Sequence, residues 1–272
     1  MMTVNPGSLL PVAFAAAATA SEIIRTNPPR ALAEKTGWNL GVELAAELAI
    51  RGRLAAETPD IGFLGAEAAG ADRPGAEWAW GLGPIGLTSD FARSIPLSTV
   101  SLALLHHGHP VLGVIDAPFL EKRYHAVEGR GAYLGDRRLV IAAAADLRDA
   151  VVAIDEYPAG NDPDDRSRLR LAAAELTPRV RRVRLLGSAV LDLAWVAEGQ
   201  RDASVALGHQ PWGIAAGVII AREAGATVVE NGGAHDSGPA TAIAAPPPLT
   251  AQLSPLLQAI DAARCASRAG LG

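Results

Sequence analysis

The chain has 272 residues, 49% of them apolar and 19% charged, which excludes disordered and fibrous classes and allows a large buried core. The formal net charge of -5 is mild and spread along the sequence, so no basic face for nucleic acid is present. Cys265 is the single cysteine, which rules out an intramolecular disulfide and gives no sign of an oxidising compartment.

Residues 8–26 carry apolar and small side chains at helical spacing, and Pro28-Pro29 stops the helix. Within it the most apolar run, 9–20, is shorter than the ~20 residues that span a bilayer and has no basic flank before it. A cytoplasmic protein with no membrane partner is expected. A second helix is predicted over 41–57, with Val42, Ala45, Leu48, Ala49 and Leu54 as its buried stripe and Glu43, Glu47, Arg51 and Arg53 nearer solvent. A short strand follows at 63–65.

Residues 78–91 read as an apolar strand that opens into a Gly- and Pro-rich loop. Thr88, Ser89 and Asp90 then offer side-chain oxygens to cap a helical turn. Such a loop gathers backbone N–H groups into a small volume and suits a ligand with negative oxygens.

Strands are predicted at 99–106, 110–115, 123–127 and 132–134, joined by tight turns as an antiparallel meander. The polar break at 146–149 divides the chain into halves, 1–146 and 147–272, within one compact unit. In the second half strands at 151–154, 180–186, 203–206, 227–229 and 241–244 alternate with helices at 164–176, 188–197, 212–224 and 249–266. This alternation predicts helices layered over a sheet.

Asp155, Glu156 and Tyr157 follow a strand, and strand ends in α/β layers commonly hold ligands. The competing reading makes these acids part of the solvated turn at 161–165. His209, just before a predicted helix, is either a proton carrier or a surface turn histidine. Ser188 has no motif-positioned histidine to activate it. His106, His107 and His109 lie at a strand end and turn; strand alternation lets only His107 and His109 share a face, so no metal site is expected.

Several motifs together resemble the inositol monophosphatase family. Gly65-Ala66-Glu67 is similar to its G-E-E, and 128–135 to its G-x-G-A-[FY]-x-N-G turn. Residues 187–193 are similar to G-S-A-A-L-D-L, and 211–217 to P-W-D-x-A-A-G. Residues 78–91 match W-x-x-D-P-[IL]-D-G-T-x-N-F with both aspartates replaced. The resemblance implies an α/β fold, a layered α-β-α-β-α sandwich, and a homodimer.

In that family four acidic positions hold the magnesium ions of a phosphatase; here they are Ala66, Gly83, Gly86 and Gly213. Magnesium needs hard carboxylate oxygens, so no metal and no cofactor are expected. The family's water-orienting aspartate falls at Glu43, its neighbouring threonine at Leu40, and its sugar-binding glutamate at Ala206. Glu43 and Glu67 would then remain beside the former metal site, with Asp90 at the loop's end. Together with Asp155 they are candidates for general acid/base work, the alternative being rim carboxylates and a helix cap.

Replacement of the acidic groups by Gly or Ala reads either as a pocket emptied rather than plugged or as a solvent-exposed cleft that tolerates small residues. It also favours anion binding at the amides near Leu87, Thr88 and Ser89 and at the helix start of Trp212-Gly213, although Leu87 stands where the family has glycine. The expected function is a metal-independent, repurposed enzyme acting on a small polar or anionic metabolite. A non-catalytic ligand-binding or regulatory partner protein, or a residual phosphomonoesterase, are the alternatives.

Overall fold

A computed structural model describes residues 4–27, 38–64, 76–86, 88–156, 167–231 and 240–269. A 3₁₀ turn, Pro6–Leu9, capped by Asn5 Oδ1 accepting from the Gly7 N–H at 3.0 Å, leads into α1, Leu10–Thr26. Turn and helix together, Pro6–Thr26, form 21 residues of mean hydropathy 1.5 in the most apolar window, long and apolar enough to cross a membrane by length and composition alone. That is longer than the run read from the sequence. A core helix passes the same test, and Ala13, Ala16, Ala17, Ala20 and Ile24 of α1 lie fully buried against α2, Trp38–Glu57.

The buried stripe of α2 is Val42, Ala46, Ile50 and Leu54, with Leu44 and Leu48 exposed. The sequence expectation was out of phase because Glu47, assigned to solvent, is buried. Arg51, one turn on, donates from Nε to Glu47 Oε1 at 2.8 Å, and this pairing lets a carboxylate sit on the inward face.

Seven strands form the first sheet in sequential order: β1 (Gly62–Leu64), β2 (Trp78–Gly86), β3 (Thr99–His106), β4 (His109–Ala117), β5 (Lys122–Val127), β6 (Gly131–Leu134) and β7 (Arg137–Arg138). The expected meander is present from β2 onward, with β1 joined to β2 in parallel. β2 differs from expectation in one respect: it runs on through Gly83-Pro84-Ile85-Gly86 as strand, because β3 pairs with it on both sides of an irregularity between Gly83 and Gly86. A short helix, α3 (Thr88–Ala92), follows.

The second sheet contains β8 (Val151–Glu156), β9 (Arg182–Arg184), β10 (Ala203–His209), β11 (Thr227–Asn231) and β12 (Ala240–Ala245) in the order β11-β12-β10-β8-β9. Its helices are α4 (Ser167–Leu176), α5 (Ala189–Glu198), α6 (Pro211–Glu223) and α7 (Pro247–Ala269). α1 and α2 cover one face of the first sheet, α5 and α6 lie between the two sheets, and α4 and α7 cover the far face of the second. The layers are thus α-β-α-β-α, each interface with its own apolar cluster.

The middle layer packs closely. A Cβ placed on Gly113 of β4 would lie 2.5 Å from Ile219 Cγ2 and 2.9 Å from the Ala216 carbonyl of α6. Alanine-rich faces let α6 approach the sheet to this distance, which fixes where its N-terminal end meets β2.

Candidate functional site

The C-terminal end of β2 meets the start of β3, the N-terminus of α5 and the ends of β8 and β10, and the polar side chains of the middle layer gather there. Gly83 is paired with Ser101, and Gly86 with Thr99. A Cβ on Gly83 would lie 2.5 Å from Ser101 Oγ, and one on Gly86 2.6 Å from Thr99 Oγ1 and 3.9 Å from Ser188 Oγ. The space above these glycines is therefore partly taken by hydroxyls from β3, which corrects the expectation of a simply emptied pocket. Thr99 Oγ1 is buried and has no hydrogen-bond partner among the described residues. Gly213, by contrast, has nothing within 4 Å of a Cβ and stays open.

Ser188 caps α5, its Oγ accepting the Leu191 N–H at 3.2 Å. The next amide, that of Ala189, donates to Asp155 Oδ2 at 2.9 Å. Asp155 is buried near the end of β8, where it is in register with Ala206 of β10. His209 Nε2 approaches the same Asp155 oxygen at 3.1 Å, an ion-pair distance, from the end of β10. The Ala189 amide at the start of α5 and the His209 imidazole thus both lie against Asp155 Oδ2.

Asp192, one turn into α5, is fully buried, and neither of its carboxylate oxygens has a hydrogen-bond partner among the described residues. Arg201 Nε stands 4.0 Å away. Burial, and secondarily the negative charge of Asp155, push the Asp192 carboxyl up to about 8 against the opposing pull of Arg201. The buried Asp192 carboxyl therefore keeps its proton well above the ordinary carboxylate range, in the same small volume as the Asp155 carboxyl group.

Of the residues predicted from sequence, Asp155, His209 and Ser188 come together here. Trp212 lies against β2, its Cβ 3.1 Å from the position a Cβ on Gly81 would take. The Gly213 N–H is already donated to the Gln210 carbonyl at 2.9 Å, so the helix start offers fewer open amides than expected. Asp90 is half-buried in the first turn of α3, where its carbonyl accepts from Arg93 and Ile95. Glu43 is half-buried on α2. Glu67, Leu87 and Tyr157 lie outside the described residues, as do the side chains of Thr88, Ser89 and Glu156. Sequence reading missed Thr99, Ser101 and Asp192. Asp192 had a signal: an acid one helical turn after an N-cap serine inside the apolar run 189–197, where burial is forced.

A second polar group lies at the other end of β2. Glu77, His106 and His107 bring one potential ligand atom each within 4.8 Å of one another. The alternation argument failed there because His107 leaves the strand: its φ of +48° belongs to the turn, and its ring sits 4.5 Å from that of His106.

The model of the Inositol monophosphatase family matches residues 6–263. An inositol-1-monophosphatase of Mesorhizobium japonicum is 37% identical over 193 residues, 70% of this chain and 71% of its own length. The Nus factor SuhB of Xylella fastidiosa is 34% identical over 206 residues, covering 73% of this chain and 72% of its own. Among solved structures, Mycobacterium tuberculosis SuhB superposes with a TM-score of 0.81 at 31% identity, over 95% of this chain and 98% of its own. On its five-layer fold and this match across nearly its whole length, the chain belongs to the inositol monophosphatase family.

Proposed function

We propose that this chain binds a small polar or anionic metabolite in the cleft between β2, α5 and β10 without magnesium, and acts on it by acid/base chemistry through the Asp155–His209 pair. The observation that carries this reading is the pairing of Gly83 with Ser101 and Gly86 with Thr99, with the β3 hydroxyls standing where carboxylate side chains would have to rise. Hydroxyls and glycines give a hard divalent cation no anionic oxygen at these positions, and Gly213 adds none. On this reading the described residues at these positions do not fit magnesium. Neutral hydroxyls do fit a polyol or an anion, and the relatives named inositol-1-monophosphatase make a polyol phosphate the first class to try.

In this reading His209 takes or gives the proton at Nε2, while Asp155, 3.1 Å from that nitrogen, orients the ring. Asp155 is held in turn by the Ala189 amide. A second reading, a non-catalytic partner protein, is favoured by the relatives named Nus factor SuhB. Exposed Leu44 and Leu48, one turn apart on α2, would serve as a contact face for such a partner or for a second copy of the chain.

The test is calorimetry and phosphate release with an inositol monophosphate, in EDTA and in excess Mg2+. The expected result is binding unchanged by EDTA, weakened at least tenfold in His209→Ala, with no Mg2+-dependent phosphate release. Phosphate release that requires Mg2+ refutes the proposal. Binding that His209→Ala leaves intact, with no substrate turned over, favours the partner-protein reading.

A further inference from the structure

We propose that Glu77, His106 and His107 form a binding site for a borderline divalent transition metal such as Zn2+, at the end of β2 remote from the cleft. The site is independent of the function proposed above: Glu77 immediately precedes β2 and Gly86 ends it, nine positions on, roughly 30 Å at the usual rise.

Glu77 Oε1 and His106 Nε2 are 3.4 Å apart. Two ligands bound at about 2.0–2.1 Å in a tetrahedral shell stand about 3.3 Å from each other, so this pair already has the spacing of one edge of such a shell. His107 supplies the third atom, all three lying within 4.8 Å of one another. Two features hold the set in place. The His106 ring stacks on Trp78 at 4.1 Å and 17°, which fixes its plane. The His107 amide donates to the Glu77 carbonyl at 2.8 Å, tying the β3–β4 turn to the residue that precedes β2.

Two imidazoles and one carboxylate select Zn2+, Co2+, Ni2+ or Cu2+ over magnesium, which wants oxygen ligands in octahedral array. With three protein ligands, one of them exposed, the shell keeps a position for water. Loading this site cross-links the start of β2 to the hairpin of β3 and β4.

The experiment uses the tag-free full chain, dialysed against Zn2+ with and without equimolar Mg2+, with metal per chain measured by elemental analysis and Tm by calorimetry. One Zn2+ per chain that Mg2+ does not displace is expected. At a hundredfold excess over Kd the Tm should rise by roughly 5 °C or more. Glu77→Gln and His107→Gly, the latter suited to the positive φ, should each weaken uptake at least tenfold and abolish the Tm shift. Substoichiometric zinc in the wild type, displacement by Mg2+, or unchanged uptake in both variants would overturn the assignment.

Discussion

Asp192→Asn isolates a buried carboxyl that accepts no hydrogen bond among the described residues, with only Arg201 at 4.0 Å to oppose its burial. The group is fully buried, its two oxygens have no hydrogen-bond partner among the described residues, and its carboxyl is pushed up to about 8, from 3.8, first by burial. A carboxyl raised in the folded state binds its proton more tightly there than in the unfolded chain, so between these two values stability falls as pH rises. At ~1.4 kcal/mol per unit, moving from pH 5.5 to 8.5 crosses about 2.5 units below the folded value and removes on the order of 3 kcal/mol. Asparagine has nearly the same shape and cannot ionise. The variant should match the wild type within about 1 kcal/mol at pH 5.5 and exceed it by roughly 3 kcal/mol at pH 8.5. Urea unfolding of both proteins at the two pH values measures this, and groups common to both cancel in the difference. Identical pH slopes would refute the claim that Asp192 is protonated in the folded state.

Glu198, at the last turn of α5, accepts from Lys122 Nζ at 2.8 and 2.9 Å and from the Tyr124 hydroxyl at 2.5 Å. Burial pushes its carboxyl up, but the hydrogen bonds from Lys122 and Tyr124 outweigh it and hold the group below the ordinary glutamate range. Its contribution is therefore present above about pH 4.3 and lost as pH falls through the lowered folded value. Glu198→Gln should cost about 1–3 kcal/mol at pH 7, with the deficit shrinking in acid; a pH-independent deficit in urea melts would contradict this. Gly113→Ala should lower stability by about 1–3 kcal/mol, because its Cβ meets Ile219 and the Ala216 backbone. An unchanged urea midpoint would show that α6 is free to recede.

The order of elements was legible because each strand and helix carries its own periodicity and stop signal. β3 through β6 and the helices of the second half lie within a few residues of where turn chemistry and apolar spacing placed them. α2 was read out of phase because alanine-rich helices have weak contrast between faces, and the buried Glu47–Arg51 pair inverts the rule that charge faces solvent. The length of β2 was hidden for another reason: Gly83-Pro84-Ile85-Gly86 has the composition of a loop, and only pairing with β3 makes it strand. Asp155 was singled out at a strand end and His209 just before a helix start, whereas their contact joins residues 54 positions apart and no local pattern encodes it. The Glu77–His106–His107 group was missed because His107 takes a positive φ, which sequence alone does not announce.

Three glycines on β2 separate what folding requires from what the cleft requires. At Gly81 a side chain would meet Leu105 Cδ1 at 2.9 Å and the Trp212 carbonyl at 3.2 Å, so the close approach of α6 demands glycine there. At Gly83 and Gly86 the nearest atoms are hydroxyl oxygens, each at the end of a single rotor, and a serine or threonine can swing aside where a backbone cannot. Glycine inside a strand costs roughly 0.5–1 kcal/mol relative to alanine, so these two positions carry a stability penalty that packing does not explain. On the function proposed above, a backbone laid bare beside Thr99, Ser101 and Ser188 lets a ligand approach the strand more closely than any side chain would allow.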